Sequence, residues 1–252
     1  MTTDYETRLF VEDWLGVGVS AVLDADRAHY LRNVLRLRPG AKVALFNGRD
    51  GEWLAEITEL AKRSATLGVI EQRRRQGVEA DIWLAFAPIK RARIDFIAQK
   101  ATELGATVLW PVFTQFTAME RVNLGRLRAN AIEAAEQSRR LSVPEVREVV
   151  RFDALLDAWP DDRRLFCCDE TGGGIPLLQA FTSPGPGGAG LLIGPEGGLA
   201  KVELDRLDKT PNVCRVNLGP RVLRADTAAL AALACWQAAA GDWAVGQPAE
   251  NN

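Results

Sequence analysis

The first third of the chain alternates short apolar runs with turn signals, which is the pattern of a β-rich domain. Apolar runs at residues 8–11 and 19–23 predict strands, and Asp24 can cap a short helix after the second run. Two longer runs flank the turn at residues 48–51 and predict a hairpin, which a further strand follows. Short strands joined by tight turns predict a small β-barrel over residues 1–72.

The pattern changes after residues 71–80, a polar stretch without apolar periodicity that predicts a domain boundary. Beyond it, apolar strands alternate with helices, one of them stopped by Gly105 and another capped by Asn123. This alternation predicts an α/β domain with a largely parallel sheet over residues 73–244, followed by a flexible tail at 245–252. The predicted strands are residues 81–87, 107–113, 164–170, 190–194 and 214–218.

The last predicted helix, residues 225–240, is apolar on nearly all sides. Such a helix must be buried, either in the core or against another subunit. Residues 182–190 are rich in glycine and proline and predict a flexible loop before a strand.

The composition is that of an ordinary globular protein, with 47% hydrophobic and 25% charged residues. The sequence contains no run of about 18 apolar residues, so it predicts no membrane span. The N-terminus lacks the basic and apolar regions of a signal peptide. We therefore expect a cytoplasmic protein. A single histidine and cysteines without Cys-x-x-Cys spacing predict reduced thiols and no metal site. The cysteines are Cys167, Cys168, Cys214 and Cys235.

Charge is unevenly distributed although the formal net charge is only −2. The interval between Asp26 and Asp50 contains no acidic residue, and such a segment attracts phosphate. The alternative is a solvated basic face that acids elsewhere in the fold balance. The basic side chains of the interval are Arg27, His29, Arg32, Arg36, Arg38, Lys42 and Arg49.

A glycine-rich turn at residues 194–198, Gly-Pro-Glu-Gly-Gly, ends an apolar strand and precedes a helix. Glycines at the carboxyl end of a strand let the backbone approach a ligand closely, at the edge where open α/β sheets bind ligands. The motif is neither Gly-x-Gly-x-x-Gly nor a phosphate-binding P-loop. A simple tight turn is the alternative.

A second glycine turn lies at residues 218–224, again between a strand and a helix. Its Arg221 and Arg224 suit an anionic group, or a negative charge that develops during a reaction. Salt bridges at the helix end are the alternative. Two such turns at strand ends favour a single shared ligand.

Further basic residues follow the first strand of the α/β domain and end a later helix. Lys90, Arg91 and Arg93 belong to the first group, and Arg139 and Arg140 to the second. They either contact an RNA backbone or, at the helix end, only interact with the helix dipole.

Taken together, these motifs resemble the bacterial 16S ribosomal RNA uracil-N3 methyltransferases of the SPOUT superfamily. The segments that carry the resemblance are residues 29–40, 99–105, 133–146, 193–199 and 218–228. The resemblance implies a PUA-like β-barrel that holds RNA and a knotted methyltransferase domain that binds S-adenosylmethionine. It also implies a homodimer with its active site at or near the subunit interface, acting on 16S rRNA or the small ribosomal subunit.

The resemblance also implies roles for individual residues. Arg221 and Arg224 stabilise developing charge, and Glu196 and Asp226 are the candidate bases; Asp226 stands where the family usually has glutamate. Arg91 likewise stands where the family usually has glycine after Lys90. The expected cofactor-binding residues are Cys168, Ile193, Gly194, Pro195, Glu196, Gly197, Gly198, Leu218, Gly219, Pro220, Val222 and Leu223. The expected RNA-binding residues are Arg8, His29, Arg32, Arg36, Lys90, Arg91, Arg93, Arg139 and Arg140.

Three alternatives remain at this point. A SPOUT enzyme that methylates a ribose 2′-hydroxyl usually carries Asn-x-Gly-x-x-x-Arg, which the chain lacks. A non-catalytic RNA-binding assembly factor would use the same basic segment, but it would not need two intact glycine turns. The third alternative is an enzyme that acts on nucleotide phosphates, and only the richness in glycine supports this interpretation.

Overall fold

The computed structural model describes residues 4–181 and 188–244, with Arg91 described by its backbone only. It divides the chain into two compact units. The first contains residues 1–78 together with 135–143, and the second contains residues 79–134 and 144–252. The predicted tail at 245–252 and residues 182–187 of the predicted flexible loop lie outside the described residues.

The first unit is built on a five-stranded mixed sheet with the strand order β1-β3-β4-β5-β2. β1 pairs with β3 in parallel, and the other pairings are antiparallel. The strands and the hairpin predicted from the sequence are therefore present, and β5 continues through the predicted boundary between residues 72 and 73. The elements are β1 (Thr7–Phe10), β2 (Ser20–Leu23), α1 (Ala25–His29), β3 (Lys42–Phe46), β4 (Glu52–Leu60) and β5 (Ala65–Arg74).

The helix after β2 begins as predicted, because the Asp24 carboxylate accepts a hydrogen bond from the Arg27 backbone N–H at 2.9 Å. A π-helical turn at Tyr30–Val34 follows it. The chain then turns at Arg36, whose φ of 58° is uncommon for a residue with a side chain. π-Helical turns and positive φ values are concentrated at functional sites.

Arg8 is the first correction to the predicted site. Its side chain is only 4% exposed and forms an ion pair with Glu52, itself 5% exposed, at 2.6 Å. Its guanidinium also donates hydrogen bonds to the backbone carbonyls of Ala135, Glu136 and Arg140 at 2.8–3.0 Å. The prediction that Arg8 contacts RNA is wrong, because this buried side chain already uses all three of its nitrogen atoms.

The second unit contains an eight-stranded sheet in which every pairing is parallel. The strand order is β11-β13-β10-β12-β6-β7-β8, with β9 also paired to β7. This sheet confirms the predicted α/β class; the knotted chain path stays a prediction. The elements are β6 (Ile82–Phe86), α2 (Arg91–Glu103), β7 (Val108–Phe113), α3 (Leu124–Ser138), β8 (Glu145–Val146), β9 (Val150–Arg151), α4 (Phe152–Asp157), β10 (Arg163–Cys168), β11 (Ile175–Pro176), α5 (Leu177–Phe181), β12 (Gly188–Ile193), α6 (Lys201–Leu207), β13 (Val213–Asn217) and α7 (Ala225–Ala240).

The predicted helix ends have the expected chemistry. Gly105 follows α2 with a φ of 83°, which glycine adopts without strain. The Asn123 side chain accepts a hydrogen bond from the Arg126 N–H at 2.9 Å and so caps α3. α3 begins in the second unit, and its last residues from Ala135 onward belong to the first.

The last helix, α7, packs against α2, α5 and β12. Ala229, Ala232 and Leu233 are fully buried on its inner face, whereas Leu230 and Ala234 on other faces remain partly exposed. The helix is therefore buried on one side, not on all sides. Within residues 4–181 and 188–244, the structure has no helix with the length and apolar character needed to cross a membrane.

Candidate active site

Three neighbouring strands of the parallel sheet end level with one another. In the pairing register, Cys168 at the end of β10 lies opposite Ile193 of β12 on one side and Val216 of β13 on the other. The loops that follow these strands therefore leave the sheet at the same edge. This is the edge at which open α/β sheets bind ligands.

A pocket of about 320 Å³ lies at this edge, a size within the range of about 300–1,000 Å³ found for ligand sites. Both glycine turns line it, as does the loop after β10. The predicted residues that line it are Cys168, Ile193, Gly194, Pro195, Glu196, Gly198, Leu218, Gly219, Pro220, Arg221, Val222, Leu223 and Arg224. It is also lined by Asp169, Glu170, Thr171, Gly172, Leu199, Ala225 and Ala228.

Two residues of the predicted site do not line the pocket. A Cβ atom on Gly197 would lie 3.2 Å from the Cβ atom of Phe116, so this glycine faces the loop after β7. Asp226 lies one position beyond Ala225 in the first turn of α7. Its carboxylate forms an ion pair with Arg93, which also pairs with the pocket-lining Glu196, and so lies beside the pocket.

Glycine is required in the first turn at Gly198. Its φ is 72°, and its N–H donates to the Pro195 carbonyl at 2.9 Å to close the turn. A Cβ atom at this position would overlap the Glu170 carboxylate. The tight approach of two loops thus depends on the missing side chain.

The side chain of Glu203 hydrogen-bonds the backbone just after the same turn. This buried carboxylate accepts hydrogen bonds from the N–H of Ala200 and the N–H of Gln115, both at 2.8 Å. A buried carboxylate that accepts two hydrogen bonds holds a loop rigidly, because breaking either hydrogen bond leaves the buried group unsatisfied. The loop after β12 is therefore fixed to the loop after β7.

Asn217 connects the other two loops. Its amide donates to the carbonyl of Gly174 at 3.1 Å, and its side-chain oxygen accepts from the Gly219 N–H at 3.3 Å. Gly219 has a φ of 95°, a value that again favours glycine. The turn after β13 is thus tied to the loop after β10.

Asp169 is a structural carboxylate of the pocket wall. It accepts hydrogen bonds from Arg215 at 2.5 and 3.1 Å and from the N–H and hydroxyl of Thr171 at 2.9 and 2.8 Å. Burial alone would raise the pKa of Asp169, but the hydrogen bonds from Arg215 and Thr171 outweigh it and lower the pKa. The carboxylate therefore stays ionised.

Glu170 differs from its neighbour. Partial burial and, secondarily, the negative charge of Asp169 raise the pKa of Glu170. In the part of the chain that the structure describes, its carboxylate has no hydrogen-bond partner and no ion pair. This leaves Glu170 available to a ligand in the pocket.

Cys168 contributes a neutral thiol to the wall. Burial and, secondarily, the neighbouring Cys235 raise the pKa of the Cys168 thiol to about 12. Because the thiolate is the nucleophilic form, this cysteine is not a nucleophile at neutral pH. We therefore assign it a packing role.

Arg93 joins the two candidate bases. Its guanidinium lies 3.4 Å from a carboxylate oxygen of Glu196 and 3.8 Å from one of Asp226. The first acid belongs to the turn after β12 and the second to α7, so Arg93 on α2 bridges two elements. The sequence predicted Arg93 only as an RNA contact and gave no sign of this arrangement.

Arg221 and Arg224 line the pocket without the salt bridges that the alternative interpretation requires. Across the described residues, neither side chain forms an ion pair or a hydrogen bond. Both are exposed. Their charges are consequently available to a substrate.

The remaining predicted RNA contacts are mostly exposed. His29, Arg32, Arg36 and Arg139 are exposed in the first unit, where the His29 Nδ1 atom lies 2.8 Å from the Asn33 amide. Arg140 is partly buried, Lys90 is exposed in the second unit, and the side chain of Arg91 lies outside the described residues.

The sequence indicated the strand end at Cys168 and Asp169 as a further wall of the site, but not the loop from Glu170 to Gly172 that follows it. The signal was present, since the strand ending in Cys168 and Asp169 is followed by Thr171 and three glycines. It is the same combination of strand end and glycine turn that identified the other two loops. No motif of the resembled family matches at this loop.

Comparison with known families agrees with this geometry. A family described as "RNA methyltransferase domain" matches residues 77–237, and one described as "RNA methyltransferase PUA domain" matches residues 23–70. The first match alone covers more than half of the chain.

Relatives and solved structures extend the match. The ribosomal RNA small subunit methyltransferase E of Rickettsia conorii is 31% identical over 90% of this chain and 93% of its own. The Bacillus subtilis enzyme of the same name is 32% identical over 84% of this chain and 87% of its own. The Neisseria gonorrhoeae enzyme, crystallised with S-adenosylmethionine, has a TM-score of 0.85 and 28% identity over 95% of this chain and 100% of its own. The chain belongs to the ribosomal RNA small subunit methyltransferase E family.

Proposed function

We propose that this chain transfers a methyl group from S-adenosylmethionine to N3 of a uridine in 16S ribosomal RNA. The observation that carries the proposal is the single pocket that both glycine turns line. The Neisseria gonorrhoeae relative, which has the same fold, was crystallised with this cofactor. Its name and those of the other relatives give the small ribosomal subunit RNA as their substrate.

The residues of the pocket fit the cofactor. Its apolar side chains suit a purine ring, and the glycine turns let backbone groups approach a ligand closely. When bound, S-adenosylmethionine supplies an electrophilic methyl group. The apolar side chains are Ile193, Leu199, Leu218, Val222, Leu223 and Ala228.

Uracil N3 imposes three requirements on the protein. N3 lies on the Watson–Crick edge, so the base must be unpaired or flipped out of its helix. The proton on N3 must leave, and Glu196 and Asp226 are the candidate acceptors. Arg221 and Arg224, which form no ion pair within residues 4–181 and 188–244, would stabilise the negative charge that spreads onto O2 and O4.

RNA binding is proposed for the exposed basic side chains of each unit. His29, Arg32, Arg36 and Arg139 belong to the first unit, and Lys90 belongs to the second. Their charges would contact phosphates and release counterions, which makes binding weaker at higher salt. We propose that the first unit, which contains the predicted residues 1–72, is the PUA-like RNA-binding domain. The second unit, which contains most of the predicted residues 73–244, would be the knotted methyltransferase domain.

We also propose a cytoplasmic homodimer. Leu230 and Ala234 of α7 are partly exposed apolar residues that a second copy would cover. Light scattering after size exclusion tests the dimer directly. A monomer at micromolar concentration would contradict it.

The function is tested with purified protein, S-adenosylmethionine and two substrates, naked 16S rRNA and assembled small subunits. Calorimetry should show cofactor binding, and mass analysis of digested RNA should show a methyl group on a uracil base. A methyl group on ribose would favour the 2′-hydroxyl alternative. No cofactor binding at all would favour a non-catalytic assembly factor.

Arg93→Gln is expected to lower kcat about tenfold while the KM for RNA changes less than about threefold. The reason is that Arg93 holds both candidate bases, although each ion pair is partly exposed and individually weak. Steady-state kinetics with RNA measures both constants. Arg93→Lys keeps the charge and serves as the matched control. A rise in KM without a change in kcat would instead assign Arg93 to RNA binding, as the sequence predicted.

A further inference from the structure

The carboxylates of Asp169 and Glu170 follow β10 at the pocket wall, but their environments differ. Asp169 is committed to Arg215 and Thr171 through four hydrogen bonds. Glu170 also lines the pocket, yet among the described residues no donor approaches its carboxylate. A pocket-lining acid without a protein donor is free to accept hydrogen bonds from a ligand.

The position of the Glu170 carboxylate is defined by the turn after β12. It occupies the space in which a side chain on Gly198 would otherwise lie. Gly198 cannot readily be replaced, because its φ of 72° also favours glycine. The acid is therefore placed directly against the glycine turn, and not at the outer rim of the pocket.

This arrangement has a physical parallel in sheets that bind dinucleotides. There, a glycine turn ends one strand and an acidic residue further along the chain hydrogen-bonds the ribose. Here β12 ends in the glycine turn, and Glu170 follows β10, the strand hydrogen-bonded to β12. The two oxygens of a carboxylate match the two neighbouring hydroxyl groups of a ribose, each of which can donate one hydrogen bond.

We propose that Glu170 binds the 2′- and 3′-hydroxyl groups of the cofactor ribose. The proposal rests on the proposed function, since it assumes that S-adenosylmethionine is the ligand of this pocket. It assigns the loop after β10 to recognition of the sugar. The apolar side chains of the two glycine turns then remain for the purine.

Binding measurements test this without any catalytic assay. The probes are S-adenosylhomocysteine and its 2′-deoxy and 3′-deoxy analogues, titrated into the full chain by calorimetry. The wild-type protein should bind each deoxy analogue about tenfold more weakly than S-adenosylhomocysteine. Glu170→Ala should bind S-adenosylhomocysteine about 10- to 100-fold more weakly and discriminate less than about twofold between the probes.

Two further variants make the result unambiguous. Glu170→Gln keeps the size of the side chain and one acceptor oxygen, so it should retain part of the discrimination even if Glu170→Ala is destabilised. Glu120→Gln removes an exposed carboxylate outside the pocket and should behave as the wild-type protein does. Thermal unfolding of each variant shows whether a loss of affinity is a loss of fold.

The possible failures are distinct. If the wild-type chain binds neither S-adenosylmethionine nor S-adenosylhomocysteine, the proposed function fails. If the wild type binds but Glu170→Ala still discriminates against the deoxy analogues, only this inference is overturned. In that case a weaker but still discriminating variant would point to another donor, such as the amino group of the methionine moiety.

Discussion

Arg224→Ala is expected to lower the single-turnover rate of methyl transfer by about 100- to 1,000-fold, the usual cost of removing one group that stabilises developing charge. Arg224 lines the pocket immediately before α7. In the described part of the chain, its guanidinium forms no ion pair with a carboxylate. Its guanidinium is therefore available when negative charge spreads over the uracil ring. The Kd for S-adenosylmethionine should change by less than about threefold, because the interaction strengthens only in the transition state.

Single-turnover kinetics with saturating RNA measures the rate, and calorimetry measures the Kd. Arg224→Lys keeps the charge but loses the planar fork, so it should recover only part of the rate. Arg206→Ala is the matched control, since this exposed arginine on α6 pairs with Asp157 and not with the pocket. Arg221→Ala and Asp226→Ala should also lose more rate than affinity. Unchanged single-turnover rates in all three alanine variants would remove the catalytic assignment.

The pocket was predictable from the sequence because its parts are local. Apolar runs identified the strands, and the glycine turns at 194–198 and 218–224 identified two strand ends. Parallel strands place their carboxyl ends at one edge, so both turns had to lie at the same edge of the sheet. The chain order does not show how close the two strands lie within the sheet. In the structure β12 and β13 both pair with β10, which lies between them.

Contacts between distant residues could not be predicted in the same way. Arg93 and Glu196 are 103 positions apart, and no periodicity relates them. Arg93 was therefore interpreted by its charge alone. Glu170 was missed for a related reason, since its significance depends on its closeness to Gly198 and not on a motif.

The charge of Arg8 suggested an RNA contact, whereas the structure buries its side chain in an ion pair with Glu52. It stands in an apolar strand, and the sequence does not reveal whether its side chain points outward or into the fold. The structure places residues 135–143, the end of α3 and the segment after it, in the first unit. Arg8 reaches the carbonyl of Arg140, 132 positions away. Its role is to hold this segment, which also carries the exposed Arg139.

Arg8→Met is expected to lower the free energy of local unfolding in the first unit by about 3–5 kcal/mol, the usual cost of breaking a buried ion pair. The substitution leaves the Glu52 carboxylate, only 5% exposed, without its closest partner. It also removes three donors to the carbonyls of Ala135, Glu136 and Arg140. Hydrogen exchange of peptides from β1, β4 and residues 135–143 measures the loss.

The double variant Arg8→Met with Glu52→Leu separates the two causes. Removing both charges should recover part of the stability, because no buried carboxylate remains unpaired. What stays lost is then the contribution of the carbonyl hydrogen bonds, about 0.5–1.5 kcal/mol each. Arg73→Met, on β5, removes only exposed ion pairs, with Asp4 and with Glu71, and should cost less than about 1 kcal/mol. If Arg8→Met were as mild as Arg73→Met, the buried pair would not be what fastens the end of α3 to the sheet of the first unit.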